Sequence, residues 1–141
     1  MDFRELQESD ITFMREHSLN KGFYKECPEQ TDYTYALEHY NQVLGIGGIR
    51  MINNSTAWGW FDLSDAAEDH LIVTYRTVKE WLEILCNEKK IIRLEAYVRV
   101  GFEAGVRTVE HLGFKFESRM PQFIYHNPAD LFVRFFDGET E

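Results

Sequence analysis

Apolar and polar positions alternate from Tyr33 to Tyr40: Tyr33, Tyr35, Leu37 and His39 fall on one side, Thr34, Ala36, Glu38 and Tyr40 on the other. A period of two predicts a strand. Asn41 and Gln42 then form a two-residue connection into "VLGIGGIRMI", a buried strand with glycines inside it, and the pair reads as a hairpin. After the turn "NNS", "TAWGWFDL" is the next strand, with Trp58, Trp60 and Asp62 on one side. From about Ala67 to Asn87 the period lengthens. Ile72, Tyr75, Val78, Leu82 and Leu85 recur every three or four residues, the stripe of an amphipathic helix. "IIRLEAYVR" is apolar on both sides, as a central strand covered by helices must be.

A second helix, "FEAGVRTVEHL", turns Phe102, Val106, Val109 and Leu112 inward. Gly113 directly follows its last periodic residue and predicts a left-handed stop, with Phe114 packing back on the final turn. "FKFESR" and "DLFVRFF" complete the pattern as strands separated by "HNPA". At the other end, "FRELQ" suits a short strand, and Ser9 or Asp10 is placed to cap the helix "ITFMREHS". Between Leu19 and Thr31 the signals are mixed, and Gly22 and Pro28 break any long helix. The expected order is strand, helical region, three strands, helix, strand, helix, two strands.

With 141 residues, 44% of them apolar and 15% aromatic, the chain suits a single domain over residues 1–141 with a substantial core. A net charge of −9 disfavours broad binding to nucleic acid or an anionic membrane, so neither is an expected partner. Cys86 lies on the patterned face of a helix and is expected to be buried and reduced, whereas Cys27 is a loop thiol. No disulfide framework, signal core or membrane-length apolar run is visible, and a cytoplasmic location is expected. His17, His39, His70, His111 and His126 have no ligand spacing, so no metal is expected. No serine occupies an elbow motif and no Cys–His pairing is evident.

The order of elements, and above all "EKKIIRLEAYVRVGFEAGVRTVEHLGFKFE", resembles the GNAT (GCN5-related N-acetyltransferase) superfamily. "RLEAYVR", "FEAG" and "LGF…ESRM" are similar to the short GNAT-like proteins of tailed bacteriophages. The resemblance implies an α/β (α+β) fold: a mixed sheet of six or seven strands, a splayed central parallel pair, and helices on both faces. It also implies an acyl-CoA-dependent N-acyltransferase, moving an acetyl group from acetyl-CoA to an unknown amine by direct attack in a ternary complex. The amine acceptor is then a small molecule or a protein. The strand "TAWGWFDL" would steady the thioester oxygen through its backbone N–H groups, with Phe61 and Leu63 at the cofactor. Phe102 stands where the family often carries a cofactor-contacting asparagine.

Four positions depart from the family pattern, Phe102 being one of them. Its Gly-rich loop, whose amides cradle the CoA diphosphate at a helix start, maps onto "HLIVTY", His70 to Tyr75. Val73 and Tyr75 stand in place of the glycines, and Asp65, Glu68 and Asp69 precede them, acids that suit a first helical turn and repel a diphosphate. The tyrosine that often protonates the CoA thiolate is replaced by Val109. Two catalytic candidates remain. Asp62 is either a general base or a cap for the turn that follows it. Tyr97 is either a substitute acid or a core ring, with Glu95 and Arg93 beside it on the strand. Trp58 and Trp60 wall an acceptor pocket or fill the core. The "VLGIGGI" glycines lie inside a strand, where they suit close approach of another backbone better than a nucleotide. Arg107 and Arg119 suit a phosphate-bearing ligand or ordinary salt bridges. These departures also keep open a different class of function, a non-catalytic GNAT-fold phage protein serving as a virion component or binding a host protein.

Overall fold

The computed structural model describes residues 1–20, 33–124 and 126–136. Cys27, Pro28 and the mixed stretch around them lie outside the described residues. The elements are β1 (Asp2–Glu5), α1 (Glu8–His17), β2 (Tyr33–His39), β3 (Gln42–Met51), β4 (Thr56–Leu63), a 3-10 helix (Asp65–His70), α2 (Leu71–Lys89), β5 (Arg93–Arg99), α3 (Glu103–His111), β6 (Lys115–Ile124) and β7 (Asn127–Phe135). Seven strands form one mixed sheet in the order β1-β2-β3-β4-β5-β7-β6. The β4–β5 pair is parallel, with Thr56, Ala57 and Trp58 in register with Arg93, Leu94 and Glu95. The chain divides into two compact units: Met1–Arg50 with Trp60–Thr74, and Met51–Gly59 with Tyr75–Glu141.

In the first unit β2 pairs with β1 and β3 in antiparallel register. The hairpin turns on Tyr40 and Asn41, one residue earlier than the sequence pattern suggests. Both residues have positive φ, at 50° and 65°. A two-residue loop that follows the strand twist needs left-handed backbone at both positions, which Asn tolerates and Tyr rarely adopts. Gly45 and Gly47 explain how closely β3 approaches β4. A Cβ on either would lie 2.8 Å from a β4 carbonyl oxygen, of Asp62 and Trp60 respectively, and 3.0 Å from the Phe61 ring. The Phe61 ring thus occupies the seat that two missing side chains leave. Met14, Ala36, Val43 and Ile46 form the apolar centre here, with Leu6, Phe13 and Trp60 packed on it.

Helix α1 starts from Gln7 rather than from Ser9 or Asp10. Asp10 sits at the third helical position and accepts the Gln7 N–H at 2.8 Å. It is buried, and Arg4 grips both carboxylate oxygens at 2.8 and 2.9 Å. A carboxylate acting on the preceding backbone from inside the first turn and one acting as the cap itself read alike in sequence.

In the second unit β5 pairs with β7, and β7 with β6, all antiparallel. The stripe of α2 buries Thr74, Val78, Leu82, Leu85 and Cys86, while Ile72, expected inside, is 75% exposed. Thr74, two residues on, takes the inward place that the pattern assigns to Ile72. Burial pushes the Cys86 thiol up to about 12, which leaves it inert at neutral pH. Helix α3 sits on β5 through Gly105, where a Cβ would lie within 3.0 Å of the Phe102 and Val98 side chains. Leu112 is buried, and Val106 and Val109 are half-buried. Gly113 has φ +94°, and the Phe114 N–H returns to the Val109 carbonyl at 3.0 Å. Beside it, the buried Arg134 donates to the carbonyls of Lys79 and Leu112, both at 3.1 Å, and to Glu83 at 2.6 Å.

Two tests follow from these contacts. Gly113→Ala places a Cβ 3.2 Å from Arg134 Nε on a left-handed backbone; a loss of about 1–2 kcal/mol is expected in urea unfolding, with the m-value unchanged. The Arg4 guanidinium, helped by the Gln7 amide, holds the Asp10 carboxyl below its usual value. Its contribution is therefore complete above about pH 4 and is lost as pH falls below it. Asp10→Asn should flatten that acid limb when unfolding free energy is measured against pH, and an unchanged limb would exclude Asp10 as its source.

Candidate functional site

The last residues of β4 are pinned from two directions. Toward β3, the Ser64 N–H donates to the Leu44 carbonyl at 2.9 Å, and Ser64 Oγ donates to the Val43 carbonyl at 2.6 Å. Because strand groups alternate in direction, the N–H groups of Phe61 and Leu63 point away from β3. On that side the Leu63 carbonyl accepts the Leu19 N–H at 2.9 Å, and Ser18 forms a bridge with Ser64. The segment after α1 therefore runs beside the end of β4.

Asp62 is only 4% exposed. It accepts a hydrogen bond from Ser18 Oγ at 2.9 Å, and Ser18 Oγ in turn accepts the Asn20 N–H at 2.9 Å. The cap of the next turn is Ser64, whose Oγ accepts the Ala66 N–H at 3.2 Å and whose carbonyl accepts the Ala67 N–H at 3.0 Å. Asp62 is thus oriented by Ser18, a partner 44 residues away that no local pattern announces. Leu63 is buried and Phe61 half-buried.

The start of α2 departs from an anion cradle. The 3-10 helix Asp65–His70 passes into α2 through Leu71, which is itself in the helical region at φ −59° and ψ −45°. His70 to Tyr75 consequently lie inside a helical run rather than at its beginning. Asp65, Glu68 and Asp69 are exposed at the true start, and Asp65 pairs with His17 at 3.2 Å. The Tyr75 ring is stacked on His111 at 5.0 Å, and its hydroxyl lies 3.2 Å from Thr108 Oγ1.

In the second unit, a cluster of aromatic and charged groups surrounds Tyr97. Its ring is stacked with Trp58 at 5.9 Å and edge-on to Phe123 at 4.7 Å. Trp60, by contrast, belongs to the apolar centre of the first unit. The buried Trp58 indole N–H has no hydrogen-bond partner among the described residues. Tyr97 Oη donates to Glu95 at 3.3 Å, and Arg93 bridges Glu95 at 2.8 Å and Glu117 at 2.9 and 2.5 Å. Burial first, then the Glu95 charge and hydrogen bond, raise the Tyr97 phenol above its ordinary value. Arg93 holds Glu117 below its own. Phe102 lies at the start of α3, with the Arg99 guanidinium 5.6 Å from its ring centre.

Arg119 forms a two-pronged pair with Asp130, at 2.8 and 3.1 Å, while Arg107 is exposed on α3. Among the described residues, no group of three or more His, Cys, Asp or Glu is placed to hold a metal ion. Among the described residues, no helix is long and apolar enough to cross a membrane.

The chain matches no protein-family model, and no curated protein matches it in sequence. Solved structures do match it. The ribosomal L7/L12 alpha-N-protein acetyltransferase RimL in complex with coenzyme A superposes with a TM-score of 0.74 at 15% identity, over 97% of this chain and 94% of that one. Ard1 from Thermoplasma volcanium gives 0.72 at 16% identity, over 96% and 97%. The F149A mutant of the spermidine N-acetyltransferase SpeG from Vibrio cholerae gives 0.71 at 14% identity, over 96% and 95%. A seven-stranded mixed sheet with one parallel pair, matched nearly end to end by these proteins, gives the chain the fold of the GNAT N-acetyltransferases.

Proposed function

We propose that this chain is an acyl-CoA-dependent N-acyltransferase, working as a single domain and passing an acetyl group from acetyl-CoA to an amine within a ternary complex. The observation that carries this reading is the extent of the match to RimL, an acetyltransferase solved with coenzyme A, over 97% of the chain. Acetyl-CoA, when bound, supplies an activated acyl group. The residues here suit its thioester end and not its diphosphate end. At the thioester end, the N–H groups of Phe61 and Leu63 face away from β3 and are free of that ladder. Their strand is held rigid by Ser64 and by the glycine seat under Phe61. Phe102, at the start of α3, is assigned to the cofactor in the same reading.

Two groups handle protons in this reading. Tyr97 keeps its proton on Oη throughout the neutral range, because burial and Glu95 both oppose its loss. Asp62 is the proton acceptor, its carboxylate oriented by Ser18 Oγ. The acceptor amine is a small molecule or a protein terminus. A second reading, a GNAT-fold protein without catalysis that acts as a phage virion component or binds a host protein, draws support from the acidic, continuous helical run at Asp65–His70.

Titration calorimetry with acetyl-CoA separates the two readings. The enzyme reading expects a Kd below about 1 mM, weakened several-fold by Leu63→Trp in a variant whose urea midpoint confirms folding. Absence of binding at millimolar acetyl-CoA would overturn it in favour of the non-catalytic reading. Once an acceptor amine is identified, Tyr97→Phe should leave donor affinity unchanged and lower turnover by about 10- to 100-fold. An unchanged rate would remove Tyr97 from the mechanism.

A further inference from the structure

A helix binds a diphosphate when its first amides are free and the backbone is bare enough for the anion to approach. The chain lacks both conditions at α2. The helical run begins at Asp65, so the amides of His70 to Tyr75 lie within it. At the true start, the amides of Ala66 and Ala67 are consumed by Ser64 Oγ and the Ser64 carbonyl. Glycine is also absent where backbone approach would be required. Val73 is half-exposed and β-branched, and Tyr75 is fixed by His111 and Thr108.

Charge opposes a diphosphate as well. Asp65, Glu68 and Asp69 are exposed within the first turns, and Arg76 is the next cation along the helix. Three carboxylates within about one Debye length of a bound diphosphate repel it more than a single exposed guanidinium attracts it. The adjacent surface is apolar, with Ile72 and Val73 facing solvent. Nothing in this arrangement rewards a polyanion.

We infer that the chain takes its donor by the acyl-thioester and pantetheine arm and gains no affinity from the diphosphate at the start of α2, so that an acyl-pantetheine serves it as well as the full acyl-CoA. The inference rests on the acyltransferase reading and narrows its donor. Residues of the β4 end carry recognition, while the acids at Asp65, Glu68 and Asp69 act against the nucleotide portion.

Calorimetry on the intact chain with acetyl-CoA and with acetyl-pantetheine tests this directly. The two dissociation constants should agree within about tenfold, where a working helix-start cradle would separate them further. The triple variant Asp65→Asn, Glu68→Gln, Asp69→Asn should tighten acetyl-CoA by about two- to tenfold and leave acetyl-pantetheine unchanged. Acetyl-CoA bound more than about tenfold tighter than acetyl-pantetheine, or weakened by neutralising the acids, would overturn the inference while sustaining the acyltransferase reading. Failure of both ligands to bind at millimolar concentration would sink the acyltransferase reading itself, and the inference with it.

Discussion

Ser64 is the residue on which the candidate site depends. Its N–H and Oγ tie β4 to Leu44 and Val43 of β3, and its Oγ and carbonyl then receive the first amides of the 3-10 helix. One fully buried side chain ends a strand and begins a helical run in the same step. That sets the level at which helical geometry starts, and so decides which amides lie at the end of the run and which lie within it. The closed character of the α2 start is a consequence of this early beginning. A chain that stayed extended for five more residues would offer a different surface to an anion.

The chemistry divides along the same line. The end of β4 is a backbone device, rigid and apolar, with Phe61 seated on Gly45 and Gly47 and Asp62 held by Ser18. The β5 cluster is a side-chain device in which Arg93 is shared between two carboxylates and a phenol is kept protonated beside one of them. Of these pairs, the exposed one between Arg93 and Glu117 contributes little to stability. Their effect here is electrostatic and positional, holding Glu95 where it raises the Tyr97 phenol.

Much of the fold was legible from residues whose meaning is local. Gly113 announced its helix stop because only a left-handed residue ends the run there, and the order of strands and helices followed from the change of period at Ala67. The glycines of β3 read correctly as a place of close approach, although nothing in the pattern said that Phe61 would fill it. Features that depend on distant partners were not legible. Ser18 appears as an ordinary residue after a helix, yet it orients Asp62. Ile72 fits the helical stripe, yet it faces solvent and Thr74 is buried in its stead. The sequence favours Asp62 as a cap over Asp62 as a base, and the cap is instead Ser64, two residues on. Tyr97 and Trp58 were legible as candidates, but not their stacking, because strand neighbours cannot be deduced from order alone.

The strand order has a consequence for how the polypeptide emerges during synthesis. β5 does not pair with the next strand made but with β7, which is inserted between β5 and β6. Until β7 leaves the ribosome, β5 presents an edge without its antiparallel neighbour, and α2 lacks the guanidinium that joins Lys79, Glu83 and Leu112. Non-local pairing of this kind slows closure and lengthens the time an aggregation-prone edge is exposed. Arg134 thus makes part of the second unit wait on β7: the carbonyls of Lys79 and Leu112 and the Glu83 carboxylate gain their shared donor only once that strand is in place.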